Sequence, residues 1–252
     1  MSLDSFITKL MPLIGKPEPD PKDFGYPHYK RSEISITLKA TPERDNWVVI
    51  LPNWNGGRLM DRFVNKLHKA GNSVLHFEYP AGVLSPAPAE TMNNFLDLED
   101  YVKRQIDTYS RWMGFSEYTI IGLSLGNVPA TRIANQDERA TKLVLNYPGH
   151  SLAEAVWRGH RTQKLRAALE GQGYGLDYLN VFWEDLAPGN NVDNLQGKEI
   201  IVRLSRADEI IPYYTGVKLV NAMKRASLSP EVQVNNLGHY LSCARELLSP
   251  RT

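Results

Sequence analysis

A chain of 252 residues with 42% apolar and 23% charged side chains is long enough to bury a sizeable core and ordinary enough in composition to be globular. Its 29 basic and 28 acidic residues leave a formal charge of +1, with no basic tail and no long block of like charge. That argues against nucleic-acid or anionic-membrane partners, which need a concentrated positive field. A single cysteine, Cys243, excludes an intramolecular disulfide, and no run is apolar for long enough to span a bilayer.

In chain order, residues 3–14 put Leu3, Phe6, Ile7, Leu10 and Ile14 at helical spacing. The segment lacks the charged start and apolar run of a signal peptide, so a cytoplasmic setting is the expectation. Four prolines (17, 19, 21 and 27) make the next stretch an extended connector. Residues 32–38 alternate Ile34, Ile36 and Leu38, a half-buried strand, whereas WVVIL at 47–51 is continuously apolar, as a strand covered on both faces is. Helices and strands then alternate: helix 60–70, strand 73–77, helix 90–112, strand 118–121, helix 128–134 and strand 142–145. The series resumes with strand 199–204, helix 214–225, strand 231–234 and a final helix at about 239–249. Such alternation predicts βαβ units and a doubly wound, mainly parallel α/β sheet in one domain spanning 1–252. About fifty residues between the strands at 142–145 and 199–204 show no strand pattern, too many for an ordinary connector, and read as a helical insertion at about 149–196. In the last helix, Tyr240, Leu241, Cys243, Leu247 and Leu248 read as a buried apolar face, which makes Cys243 a core residue rather than a reactive thiol.

The sharpest local signal is Gly122-Leu123-Ser124-Leu125-Gly126, between a strand and a helix. The G-x-S-x-G pattern in that context puts a serine on a tight, strained turn with its hydroxyl raised above the sheet. The flanking glycines are there because a Cβ would collide with neighbouring backbone. A serine nucleophile needs a base, and the base needs an orienting acid. Asp208 follows the strand at 199–204 in RADEIIP, with Glu209 as an adjacent competitor, and His239 follows the strand at 231–234 in LGHY. Both positions lie at C-terminal strand ends, where open α/β sheets bind ligands. A tetrahedral intermediate also needs N–H donors. Leu125, next after the serine, supplies one, and the loop Pro52-Asn53-Trp54-Asn55-Gly56-Gly57 the other, with Trp54 the first choice and Asn55 the second. His150 and His160 flank the insertion within reach of a substrate, and no His/Cys/Asp/Glu cluster has metal-ligand spacing, so neither metal nor cofactor is expected.

From about residue 30 to 249, PNWNGG, GLSLG, RADEIIP and LGHY, in that order, resemble the α/β-hydrolase superfamily. The resemblance implies Ser124 as nucleophile, Asp208 as acid, His239 as base, and the backbone N–H groups of Trp54 and Leu125 as the oxyanion hole. It also makes the segment at 149–196 a cap whose tryptophans and tyrosines line the pocket. Serine rather than aspartate at 124 argues against dehalogenase and epoxide-hydrolase chemistry, and the lack of an HGGG motif argues against hormone-sensitive-lipase-type esterases. The expected activity is hydrolysis of a carboxylic ester, thioester or related acyl bond of a small-molecule substrate. Acyl transfer, C–C cleavage or a lyase reaction on the same residues, or a non-catalytic binding protein, are the alternatives. The oligomeric state is not specified by the sequence.

Overall fold

The computed structural model describes residues 27–41, 46–53 and 58–248. The helix expected at 3–14 and the loop residues Trp54 and Asn55 lie outside these. Seven strands form one sheet: β1 Ser35–Lys39, β2 Trp47–Leu51, β3 Ser73–Glu78, β4 Tyr118–Leu123, β5 Ala140–Asn146, β6 Glu199–Ser205 and β7 Glu231–Asn235. Their spatial order is β1-β3-β2-β4-β5-β6-β7; β1 runs antiparallel to β3 and every other pair is parallel. The doubly wound, mainly parallel α/β expectation holds. Element ends coincide with the expected ones or move by up to three residues. At 31–33 the expected start of the first strand is instead a short 3-10 turn, with the strand beginning at Ser35.

The helices among the described residues are α1 Arg58–Lys69, α2 Pro88–Met113, α3 Asn127–Gln136, α4 Leu152–Arg158, α5 Gln163–Gly171, α6 Leu176–Phe182, α7 Tyr213–Arg225 and α8 His239–Leu248. None is long and apolar enough to cross a membrane. Because side chains alternate across a strand, β2 splits its apolar run between the two faces. Val49 and Leu51 join Phe95, Leu98, Val102 and Ile106 of α2 in one core. Val48 and Ile50 join Met60, Val64 and Leu67 of α1 and Cys243 and Leu247 of α8 in the other. A strand covered on both sides has no polar face to show, which is why WVVIL carries no alternation.

The stretch between β5 and β6 is helical throughout its regular parts (α4, α5, α6 and three single 3-10 turns), with no strand. Its aromatics pack on other parts of the chain and on one another. Trp183 is buried, and its indole N–H donates to the Pro88 carbonyl at 2.9 Å. Tyr174, Tyr178 and Phe182 stack on one another, with centroids 5.1 and 5.4 Å apart. These contacts tie the segment together.

α8 supplies a second correction. Cys243 and Leu247 are buried, but Tyr240 and Leu241 are 54% and 65% exposed. The inward stripe is His239, Ser242, Cys243, Glu246 and Leu247, the i, i+3, i+4, i+7, i+8 set of a single helix face. Three of these five are polar, so hydrophobic periodicity could not reveal the face.

Candidate active site

β4 ends at Leu123, and the chain reverses through a 3-10 turn at Ser124–Gly126 before α3 begins. Ser124 has φ 54°, a conformation most side chains avoid and which costs energy unless the surroundings impose it. Here they do. A Cβ on Gly122 would fall 2.7 Å from the Asn127 side-chain oxygen and 2.8 Å from its Cα. A Cβ on Gly126 would run into the Leu51 and Pro52 carbonyl oxygens. Asn127 ties the turn down by donating from Nδ2 to the carbonyls of Ser124 at 2.7 Å and Asn146 at 2.8 Å. The first N–H groups of a helix have no partner further back along it, and the Leu125 and Gly126 amides stand at such a start.

β6 and β7 lie two and three strands from β4 in the sheet, and their C-terminal ends deliver the other two side chains. His239 Nε2 is 3.0 Å from Ser124 Oγ, and His239 Nδ1 is 2.7 Å from Asp208 Oδ2. The imidazole and carboxylate are 5% and 2% exposed, so water does not compete for these contacts. Asp208 is itself oriented. Its Oδ1 accepts from the backbone N–H groups of Ile210 at 2.9 Å and Ile211 at 2.7 Å, leaving Oδ2 for the histidine. A carboxylate is an acceptor only, so it fixes the proton on Nδ1 and leaves Nε2 as the acceptor for the serine hydroxyl. Glu209, the sequence competitor, turns the other way and accepts from the His239 backbone N–H at 2.9 Å.

Beneath the imidazole lies a polar network the sequence reading missed. Tyr147, at the end of β5, is buried at φ 56°, and its ring meets that of His239 edge to face at 6.1 Å. Its hydroxyl lies 3.2 Å from Glu246 Oε1 and from Asn235 Nδ2, and 3.1 Å from the Ser242 carbonyl. Glu246 faces Arg203 of β6 across 3.5 Å, both about 5% exposed or less. Arg203 also donates to Asn146 Oδ1 at 3.1 Å, and Asn146 in turn donates to Gly122. One signal was available: Arg203 stands inside the otherwise apolar run IIVRL, where a charge needs a partner.

Ser124, His239 and Leu125 open on a small cavity of about 60 Å³ walled chiefly by apolar side chains, among them Leu84, Leu152, Val156, Ile210 and Ile211. Arg161 and Thr162 add polar atoms, and Asn53 stands on the wall formed by the end of β2. The α4–α5 region thus contributes aliphatic and small polar residues; its tryptophans and tyrosines do not line the cavity, and neither do His150 or His160. Burial pushes the Cys243 thiol up out of the reactive range, although the residue also lines the cavity. Among the described residues no group of His, Cys, Asp and Glu could hold a metal ion.

Solved structures share this architecture. An esterase of Pyrococcus furiosus aligns over 93% of this chain and 90% of its own, at 17% identity and a TM-score of 0.60. A sugar hydrolase of Lactococcus lactis aligns over 88% of this chain and 87% of its own, at 14% identity and 0.62. The chain has the α/β-hydrolase fold. An acetyl ester-xyloside bifunctional hydrolase of Caldicellulosiruptor lactoaceticus shares it over 86% of this chain and 82% of its own, at 18% identity and 0.60. No family model and no curated protein matches the sequence. In an α/β-hydrolase fold the C-terminal strand ends gather the loops that bind ligands, and here those ends carry Ser124, Asp208 and His239.

Proposed function

We propose that the protein is a serine hydrolase that cleaves a short-chain carboxylic ester, thioester or related acyl bond through an acyl-enzyme. The observation that carries this reading is the hydrogen-bonded line from Asp208 through His239 to Ser124, ending at an apolar cavity.

In this reading Ser124 Oγ attacks the substrate carbonyl as His239 Nε2 takes its proton, and Asp208 steadies the imidazolium that forms. The oxyanion accepts from the Leu125 N–H at the helix start. Collapse expels the alcohol or thiol, which takes the proton from His239. Water, activated by the same imidazole, then releases the acid. The walls of Leu84, Leu152 and Val156 favour an alkyl acyl group, and about 60 Å³ suits a short one. The helical segment at about 149–196 acts as a cap, since Leu152, Ala155, Val156, Arg161 and Thr162 form one side of that cavity.

The test is covalent labelling with a fluorophosphonate, read by intact mass, beside turnover of p-nitrophenyl acetate. A single adduct on wild type, absent from Ser124→Ala, together with turnover lost in the same variant, is the expected result. A folded wild type that takes no label and turns over no acyl ester refutes the reading.

A further inference from the structure

Between α4 and α5 the chain makes a single 3-10 turn, His160–Thr162, and this turn lies against the loop that carries Asp208. Contacts on both sides fix it. The His160 N–H donates to the Glu209 carbonyl at 3.2 Å, and a Cβ on Gly159 would fall 2.7 Å from the Ile210 carbonyl oxygen. On the α4 side the Thr162 hydroxyl donates to the Val156 carbonyl at 2.6 Å. Arg161 stands between these anchors. It lines the same cavity as Ser124 and His239 and is also exposed to solvent, which puts it at the cavity mouth.

Charge around that mouth is one-sided. Among the described residues that line the cavity, Arg161 alone carries a permanent charge, and none is acidic. From Glu154 to Glu170 the chain holds Arg158, Arg161, Lys164 and Arg166 with no acid between them, and all four are exposed. Arg166 is matched by Glu170 at 3.0 Å. The two acids of the facing loop are turned to His239, Asp208 to its ring and Glu209 to its backbone N–H. Alkyl walls such as Leu84, Leu152 and Val156 disfavour an anion, which would lose its water there. At the mouth an anion keeps much of its water and meets a guanidinium, whose planar fork matches a carboxylate. With a short acyl group among the alkyl walls, the part of an ester that reaches the mouth is its leaving group.

We propose that Arg161 is a specificity-determining residue that selects esters or thioesters whose leaving group carries a carboxylate. The proposal rests on the hydrolase reading of Ser124 and narrows its substrate to a short alkyl acyl group inside the cavity and an anionic alcohol or thiol outside it. The carboxylate is remote from the reacting bond, so the guanidinium holds it equally in the bound substrate and in the transition state. Such uniform binding lowers KM rather than raising kcat. Once the leaving group departs, the acyl-enzyme holds no anion, and Arg161 has no part in the attack of water. Because the contact lies at an exposed mouth, salt screens it.

The experiment measures kcat/KM at neutral pH for two acetate esters of the same shape, 4-acetoxybenzoate with an anionic leaving group and 4-acetoxybenzamide with a neutral one. The proteins are wild type, Ser124→Ala, Arg161→Gln, Arg161→Glu and Lys164→Gln, each with its melting temperature. Dividing a variant's anionic-to-neutral ratio by that of wild type cancels the intrinsic reactivity of the two phenols. The expected result is a ratio lowered about fivefold in Arg161→Gln and more than about tenfold in Arg161→Glu, carried mainly by KM. The wild-type ratio should also fall as salt rises from about 20 to about 500 mM. Lys164→Gln, in the same cationic stretch but off the cavity wall, should move the ratio by less than about twofold. An active wild type and an inactive Ser124→Ala, with a ratio that neither Arg161 variant moves, overturn the assignment and leave the hydrolase reading standing. An equal fall in Lys164→Gln also overturns it, because a diffuse field then makes the choice. A wild type that turns over neither ester and takes no fluorophosphonate on Ser124 overturns both.

Discussion

Asp208 and Glu209 are adjacent in sequence yet grip His239 at two different places. Asp208 Oδ2 sits 2.7 Å from Nδ1 of the ring, while Glu209 Oε2 accepts from the backbone N–H at 2.9 Å. One acid sets the tautomer and orientation of the imidazole; the other caps the first turn of the helix that carries it. Their substitutions should separate. Asp208→Asn leaves Nδ1 facing an NH2 group and is expected to lower kcat by about 10⁴-fold with little change in melting temperature. Glu209→Gln keeps an acceptor for the backbone N–H and is expected to cost about tenfold or less. Steady-state kinetics on p-nitrophenyl acetate checks both, and equal losses would contradict the division of labour.

His76 lies in β3 at 1% exposure, and its Nε2 has no hydrogen-bond partner among the described residues. Burial holds its pKa down at about 4, against an ordinary value of 6.5, with only a weak opposing pull from Asp61. Between those values the unfolded chain binds a proton that the folded chain refuses. Stability is therefore intact above pH 6.5 and is lost as pH falls toward 4, by up to about 3 kcal/mol. His76→Leu is expected to flatten this limb of the stability profile while leaving pH 7.5 nearly unchanged, as urea unfolding across pH 4.5–7.5 would show. An unchanged slope would mean that other groups set the acid limb.

The buried pair of Arg203 and Glu246 is expected to be costly to break from one side. Glu246→Gln leaves a guanidinium in the core facing a neutral amide, with an expected loss of about 3 kcal/mol in unfolding free energy. Replacing both, Arg203→Met with Glu246→Leu, should recover most of that loss. A double-mutant cycle in urea measures it. Because α8 carries His239 and Glu246 on one face, Glu246→Gln should also lower kcat more than it raises KM.

Cavity size predicts chain-length preference. Val156, 2% exposed, faces the space in front of Ser124. Val156→Ala should raise kcat/KM for p-nitrophenyl hexanoate relative to the acetate by about tenfold, near the worth of one or two buried methylenes, at some cost in stability. An unchanged ratio would place the acyl group elsewhere.

The sheet was legible because its signals are local. WVVIL is an apolar run that suits a twice-covered strand, and GLSLG marks a strand-to-helix turn whose glycines answer to neighbouring backbone. Ser124, Asp208 and His239 were each named from a motif within a few residues of the chain, and the fold brings them into hydrogen-bonding distance. What stayed hidden depends on residues far apart. The aromatics of α4 to α6 look like pocket walls until Trp183 is found donating to Pro88, 95 residues away. The inner face of α8 was misread because its stripe is mostly polar, and those polar groups find partners far along the chain, among them Arg203, Tyr147 and Asp208.

The hydroxyl of Ser124 and the imbedded imidazole of His239 are separated by 115 residues of chain. All seven strands precede that histidine, and it stands on α8, which must close over the face of the sheet opposite α2. Chemistry at the serine thus requires both an assembled sheet and a docked α8. The sheet can assemble, and far-ultraviolet ellipticity can recover, while the hydroxyl still has no base. Return of turnover during refolding therefore reports the docking of α8, which far-ultraviolet ellipticity alone does not.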